Sequence, residues 1–423
     1  MFYFQPKIPF STFPHSLLII LLIYYFIFYI FSFLSVLITV NKMKGVYPQM
    51  KIICKKTDLS KGINIVSKAV PTKTTMPILE CILIDASAEG IRFTANDMEL
   101  GIETFVEGQV EEAGLVAIDA RIFGEIVRKL PDNDVTISMI SGNQVQIVCE
   151  NANFTIHVKS GEEFSGLPDV EKVQSIQISQ FTLKEMIKQT IFSISDNDSN
   201  AMMTGELFEI KDQLFKIVSL DGHRISIRNV ELKEQYEPIR VIVPGKTLND
   251  LTKILSGEME EIVTIYFSKN HLLFEFEHTR VVSRIIEGEY FKIDQMLSND
   301  YQTKIHINKR ELLDCIDRST LLIKEGDKKP IVMDIKDHVM ELKMQSFIGS
   351  MDEEIQIQKE GKDIMIAFNP KFLIEALRVI DDEEIDIYMM NPKAPCIIKD
   401  SDHQMESYVY LILPVNFNVA NQH

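Results

Sequence analysis

The chain has 423 residues, of which 46% are hydrophobic, so it can bury substantial cores, and its length points to roughly two to four domains. Its 61 acidic and 44 basic residues give a formal charge of -17, which repels a polyanion from the surface at large but does not exclude one where cations gather on one face. Cys54, Cys81, Cys149, Cys315 and Cys396 stand far apart with no CxxC pair, which excludes a secreted disulfide framework and suits small core residues of a cytoplasmic protein.

The first 49 residues differ in composition from the rest. Leu17 to Val40 carries no charge and is long enough to cross a bilayer. Lys7 precedes it, Lys42 and Lys44 follow it, and no small-residue cleavage site marks a signal peptide. Two readings fit: a membrane anchor, which would make the protein a tethered scaffold, or a translation start at Met50, where "MKIICKKTDLSKGI" opens an ordinary globular sequence. The abrupt change of composition at a methionine favours the later start.

Beyond it, "TDLSKGINIVSKAV" (57–70) predicts a helix, and "GIRFTA", "QVQIVCE" and "FTIHVKS" alternate as half-buried strands do. A second helix is expected within "AIDARIFGEIVRKLPDND" from Ala117 and a third in "FTLKEMIKQTIFSI" (181–194), where Thr182 and Glu185 have capping-box spacing. Strands "LFKIVSL" and "HLLFEFE" flank a helix in "IVPGKTLNDLTKILSGEM" from Ile242. The last part repeats the order: a helix in "NKRELLDCIDRSTLLI" (308–323) with Asn308 and Glu311 at capping-box spacing, the strand "HVMELKM", and a helix in "AFNPKFLIEALRVIDDEE" from Ala367.

The segments from Ala117, Ile242 and Ala367 recur at a constant spacing of 125 residues. This implies three copies of one α+β unit, each with two helices on antiparallel sheet, over 50–173, 174–301 and 302–417, with a tail at 418–423. In their helices Phe123, Val127 and Leu130 match Leu248, Thr252 and Leu255, and Leu373, Leu377 and Ile380, as a core-facing stripe. Arg121, Glu125 and Arg128 match Lys246, Asp250 and Lys253, and Lys371, Glu375 and Arg378, a set rotated by about 200° from the stripe. An ordinary solvated face would account for one such helix. A cation in the first helical turn opposes the helix dipole, however, and its recurrence in all three copies points to a shared anionic ligand.

Two motifs imitate known sites. "GKT" (245–247) opens a helix after a strand, but Arg240 stands where a phosphate loop needs its first glycine. "DNDSNA" (196–201) has Ala201 and Leu207 where a calcium loop needs glycine and glutamate. His271 and His278 have no ligand set around them, so no metal, cofactor or catalytic group is expected. "VSLDGHRIS" (218–226) gathers Asp221, His223 and Arg224, which a hydrolase or nuclease could use, yet Asp-Gly between two alternating runs is first a hairpin signal. The first copy carries "NDME" (96–99) at the matching place, so the middle turn is specialised.

"TTMPILECILI" (74–84), "GEEFSGLPDV" (161–170), "LDGHRIS" (220–226) and "YVYLILPVNF" (408–417), in order on a triple repeat, resemble the bacterial sliding clamp, the β subunit of DNA polymerase III. The resemblance covers Met50 to Phe417. It implies a non-catalytic, head-to-tail homodimeric ring that encircles double-stranded DNA without reading sequence and confers processivity on the replicative polymerase. Lys73, Arg121, Arg128, Lys184, Lys188, Lys246, Lys253, Arg318, Lys371 and Arg378 are then candidate DNA contacts. Met203, Leu220, Gly222, His223, Arg224, Ile225, Phe291, Met296, Leu411, Leu413, Pro414 and Val415 would form a pocket for short peptides of the polymerase, the clamp loader and repair polymerases. Phe154 and Ile156 would meet Leu321 and Leu322 of a second copy. The chain departs from the family's pattern in "EGEYFKIDQML", which lacks a proline after the aromatic, in Asn416, where an arginine is usual, and in "NVANQH", which runs past the usual end.

Overall fold

The computed structural model describes residues 50–197, 199–297, 300–324, 326–327, 329–400 and 407–417. The apolar stretch 17–40 lies outside them. Among the described residues no helix is long and apolar enough to cross a membrane. The described residues form two compact units: a smaller one within 50–60, 83–92 and 106–164, and a larger one within 61–82, 93–105 and 165–417.

In the smaller unit, five antiparallel strands pair in the order Gln109–Glu112, Lys51–Lys55, Asp134–Ser141, Gln144–Cys149, Ala152–His157. Period-2 alternation sends Ile52, Cys54, Val135, Ile137, Val145, Ile147 and Cys149 inward, where all are buried. Helix α1 (Lys56–Val66), of which only residues 56–60 are counted in this unit, starts directly after the first strand and buries Leu59, Ile63 and Val66 at i, i+4, i+7. Helix α2 (Ala120–Lys129) is N-capped by Asp119, whose Oδ1 accepts the Ile122 N–H at 2.8 Å, and it buries Phe123 and Val127.

The larger unit contains α3 (Gln180–Lys188), α4 (Gly245–Leu251), α5 (Lys309–Ser319) and α6 (Pro370–Val379). Each begins where a strand ends, α6 after the single intervening residue Asn369. Asn308 caps α5 through the Arg310 and Glu311 N–H groups at 3.0 and 3.1 Å, as its spacing predicts. The Thr182 capping box does not form: α3 begins at Gln180, because the strand Gln174–Ser179 runs straight into it and the Gln180 N–H is already held by the Glu261 carbonyl at 2.8 Å. Leu248, Leu255, Leu373, Leu377 and Ile380 of the expected stripes are buried, whereas Thr252 is half-buried because α4 has ended at Leu251.

Strands of the middle and last copies share one sheet of seven, in the order Gly205–Leu220, Arg224–Pro244, Tyr408–Ile412, Cys396–Asp400, Glu384–Met389, Thr303–Asn308, Gln358–Gly361. A sheet of four lies wholly within the last copy, in the order Ser350–Gln356, Val339–Gln345, Ile331–Lys336, Ile364–Phe368. The expected hairpin at "LDGH" is present, with Leu220 opposite Ile225. All five cysteines are buried and none is in a disulfide, and burial, with a smaller push from Asp58 on Cys54 and from Glu353 on Cys315, raises those two thiols to about 12.

Candidate functional site

The seven-stranded sheet sets the chain's terminal strand Tyr408–Ile412 beside the middle-copy strand that starts at Arg224, pairing Ile225 with Leu411. At the mouth of that ladder, Asp221 builds the turn. Its Oδ1 accepts the N–H groups of His223 at 2.9 Å and Arg224 at 3.2 Å, and its own N–H donates to the Arg224 carbonyl at 3.3 Å. Gly222, at φ +85°, occupies the left-handed position the turn requires. The His223 carbonyl accepts the Leu413 N–H at 2.8 Å, which ties the C-terminal segment to the turn.

Arg224 is 6% exposed, and each of its three guanidinium nitrogens has a partner. Its Nε donates to Asp221 Oδ2 at 2.9 Å and one Nη to the Phe192 carbonyl at 2.5 Å, while the other meets the Glu375 carboxylate. The guanidinium lies 4.2 Å from the centroid of Phe372 and 5.4 Å from that of Phe192. Burial alone would lower its pKa, but the Glu375 hydrogen bond and the neighbouring charges outweigh it and hold the group firmly protonated. The Asp221 carboxylate is therefore occupied by the turn and by Arg224. Asp221 and Arg224 thus form a structural corner that holds the turn, with the His223 side chain exposed beside it.

Around this corner opens a cavity of about 510 Å³ lined by Met203, Leu220, Gly222, His223, Arg224, Ile225, Phe291, Gln295, Met296, Pro395, Leu411 and Leu413. Its floor is a packed cluster that includes Leu207, Val218, Ile227, Tyr290, Ile293, Ile397 and Val409. Ten expected residues are brought together. Pro414 and Val415 do not line the cavity, because the chain turns away and the Val415 N–H bonds the Ala367 carbonyl at 2.8 Å. Gln295 and Pro395 were not anticipated. Gln295 could have been found as the neighbour of Met296, whereas Pro395 is brought in only by the pairing of Cys396–Asp400 with the terminal strand.

The expected DNA contacts lie mostly at the surface. Lys73, Arg121, Arg128, Lys188, Lys246, Lys253, Arg318, Lys371 and Arg378 are exposed. Many meet carboxylates: Arg128 with Glu125 at 2.5 Å, Lys188 with Glu185 and Lys253 with Asp250 at 2.8 Å, Arg318 Nε with Glu353 and Arg378 with Asp317 at 3.1 Å, and Lys371 with Glu375 at 3.8 Å. Lys246 meets Asp97. Lys184 differs: it is half-buried and its ammonium donates to the Leu255 carbonyl at 2.9 Å. Lys309, 125 residues later, does the same to the Ile380 carbonyl, so this lysine ties the first helix of its copy to the segment that follows the second.

Phe154 and Ile156 stand on Ala152–His157, the edge strand of the five-stranded sheet, with Phe154 exposed and Ile156 half-buried. Leu321 is 78% exposed, whereas Leu322 packs partly against the core of the third copy.

Three family profiles match in chain order: the N-terminal domain of the DNA polymerase III beta subunit over residues 50–168, its central domain over 177–292 and its C-terminal domain over 294–416. The beta sliding clamp of Staphylococcus epidermidis is 32% identical over 376 residues, covering 86% of this chain and 99% of its own length. A crystal structure from Eubacterium rectale assigned to a DNA polymerase III beta subunit is similar at 65% identity with TM-score 0.84, over 87% of this chain and all of that one. The DNA polymerase sliding clamp of Bacillus subtilis is similar at 31% identity with TM-score 0.84, over 88% of this chain and all of its own. The chain therefore belongs to the DNA polymerase III beta subunit family, the sliding clamps, which act in DNA replication as non-catalytic processivity factors.

Proposed function

We propose that two of these chains close head to tail around duplex DNA, with the second helix of each copy turned toward the phosphates. The observation that carries this reading is the recurrence of exposed cations at equivalent places on α2, α4 and α6. Lys and Arg meeting phosphates give sequence-independent, salt-sensitive contact. Most of these cations already hold a carboxylate, and an exposed ion pair is worth only about 0–1 kcal/mol, so phosphates can take over one cation and release another at little cost. That suits a ring that must slide. The test is retention: the purified dimer, once loaded on circular duplex, stays bound, and cutting the circle releases it. Equal retention on linear duplex with free ends would refute encirclement.

The cavity beside Asp221 supports a second role, capture of short peptides from the replicative polymerase, the clamp loader and repair polymerases. An apolar cleft with a few fixed polar groups suits such ligands. Leu413→Asp puts a charge into the cavity at a side chain that is 38% exposed, so folding is spared. Peptide affinity should fall by about tenfold or more, with an unchanged thermal midpoint. A fluorescent clamp-motif peptide read by anisotropy checks this, and unchanged affinity removes the cavity from the reading.

A further inference from the structure

Three turns of the chain are built alike, starting at residues 97, 221 and 346. In each, the first N–H donates to the carbonyl three residues on: Asp97 to Leu100 at 3.0 Å, Asp221 to Arg224 at 3.3 Å, Ser346 to Gly349 at 2.9 Å. In each, the first side-chain oxygen accepts the N–H two residues on: from Glu99 at 3.0 Å, His223 at 2.9 Å and Ile348 at 3.0 Å. Their spacing follows the period of the repeat.

Two of these turns have a receiver, and both times it is the second helix of the following copy. Asp97 takes the ammonium of Lys246 on α4. Arg224 meets Glu375 and lies over Phe372 on α6, where the His223 ring also sits, 6.1 Å from that of Phe372. The third turn has no following copy in the chain. It presents Phe347, 94% exposed, and Ile348, 52% exposed. The Lys329 ammonium, 5.3 Å from the Phe347 ring centroid, leaves that side chain open to solvent. The one second helix with no preceding copy is α2. Its positions equivalent to Lys246, Phe372 and Glu375 are Arg121, Ile122 and Glu125, and Ile122 is an exposed apolar side chain at 43%.

We propose that Phe347 and Ile348 of one chain seat on Ile122 of a second copy, so that the contact closing the ring is an apolar latch where its two internal counterparts are ionic. This rests on the head-to-tail dimer proposed above. The same two copies each leave a strand at a sheet edge, Ser350–Gln356, which comes directly after the third turn, and Ala152–His157, which carries Phe154. Two large apolar side chains left in water on a turn, and one on a helix in the position where both other helices take a turn, are accounted for together.

Two measurements test the latch. Chains carrying Ile122→Cys and chains carrying Ile348→Cys are mixed, allowed to exchange subunits and oxidised; a disulfide-linked species of twice the chain mass should form from the mixture and from neither variant alone. The native cysteines are buried and give little background. In sedimentation equilibrium, Phe347→Asp should raise the dimer dissociation constant by about tenfold or more. A wild-type dimer with no cross-link and an unchanged constant for Phe347→Asp overturns the latch and leaves the dimer standing. A wild-type chain that stays monomeric at every concentration overturns the dimer itself.

Discussion

Arg224→Ala should lower the stability of the larger unit by about 3–5 kcal/mol, the usual effect of removing one member of a buried ion pair. The guanidinium binds Asp221, Glu375 and the Phe192 carbonyl at once and is stacked between two aromatic rings. Its removal leaves a carboxylate that is 13% exposed and a backbone carbonyl without their donor, in addition to a cavity between Phe192 and Phe372. Arg224→Lys should recover little, because one ammonium cannot span three acceptors in a plane or stack on Phe372 as a guanidinium does. Glu375→Gln should cost much less, since its amide oxygen still accepts from Arg224. Denaturant titration checks the order of the three. Equal midpoints for Arg224→Ala and the wild type would show that the corner is held by its backbone alone.

The same corner shows how far the sequence could be read. The 125-residue period, the core stripes of the second helices and the Asp-Gly turn are read from pattern alone, and they are found where the pattern puts them except at Thr252, which falls past the end of α4 and is half-buried. The partners of Arg224 could not be found that way, since Phe192 and Glu375 lie 32 and 151 residues from it. Long-range pairing also explains Pro395, which the sheet order carries to the cavity, and Lys184, whose charge looks solvent-facing on a helical wheel but whose ammonium reaches the Leu255 carbonyl in the segment after α4. Pro414 and Val415 come directly after Leu413, yet the bond from Val415 to Ala367 bends the chain off the cavity. The failed Thr182 cap is a case where a neighbouring strand fixed the helix start before local side-chain bonding could.

Glu206 should make the protein lose stability as pH rises from about 5 to above 8. It is fully buried on the strand Gly205–Leu220, and among the described residues neither carboxyl oxygen has a hydrogen-bond partner. Burial raises its pKa from 4.5 to about 8. The Thr190 hydroxyl, the one neighbour that would favour the charged form, donates to the Met186 and Ile187 carbonyls instead. Between those two pH values the folded chain holds a proton that the unfolded chain has released, so raising the pH favours unfolding. The stabilisation is complete below the unfolded pKa and is lost as the pH climbs through the folded one, by on the order of 4 kcal/mol across the window. The effect reaches the cavity floor. Leu207 is next to Glu206 in the strand, and the pKa of the Tyr290 hydroxyl, already raised by burial, is pushed further up by the Glu206 charge. Glu206→Gln keeps the shape and removes the titration, so its thermal midpoint should stay level from pH 6 to 9 while that of the wild type falls. Parallel profiles for the two proteins would mean that another group titrates in this window, or that Glu206 finds water in solution.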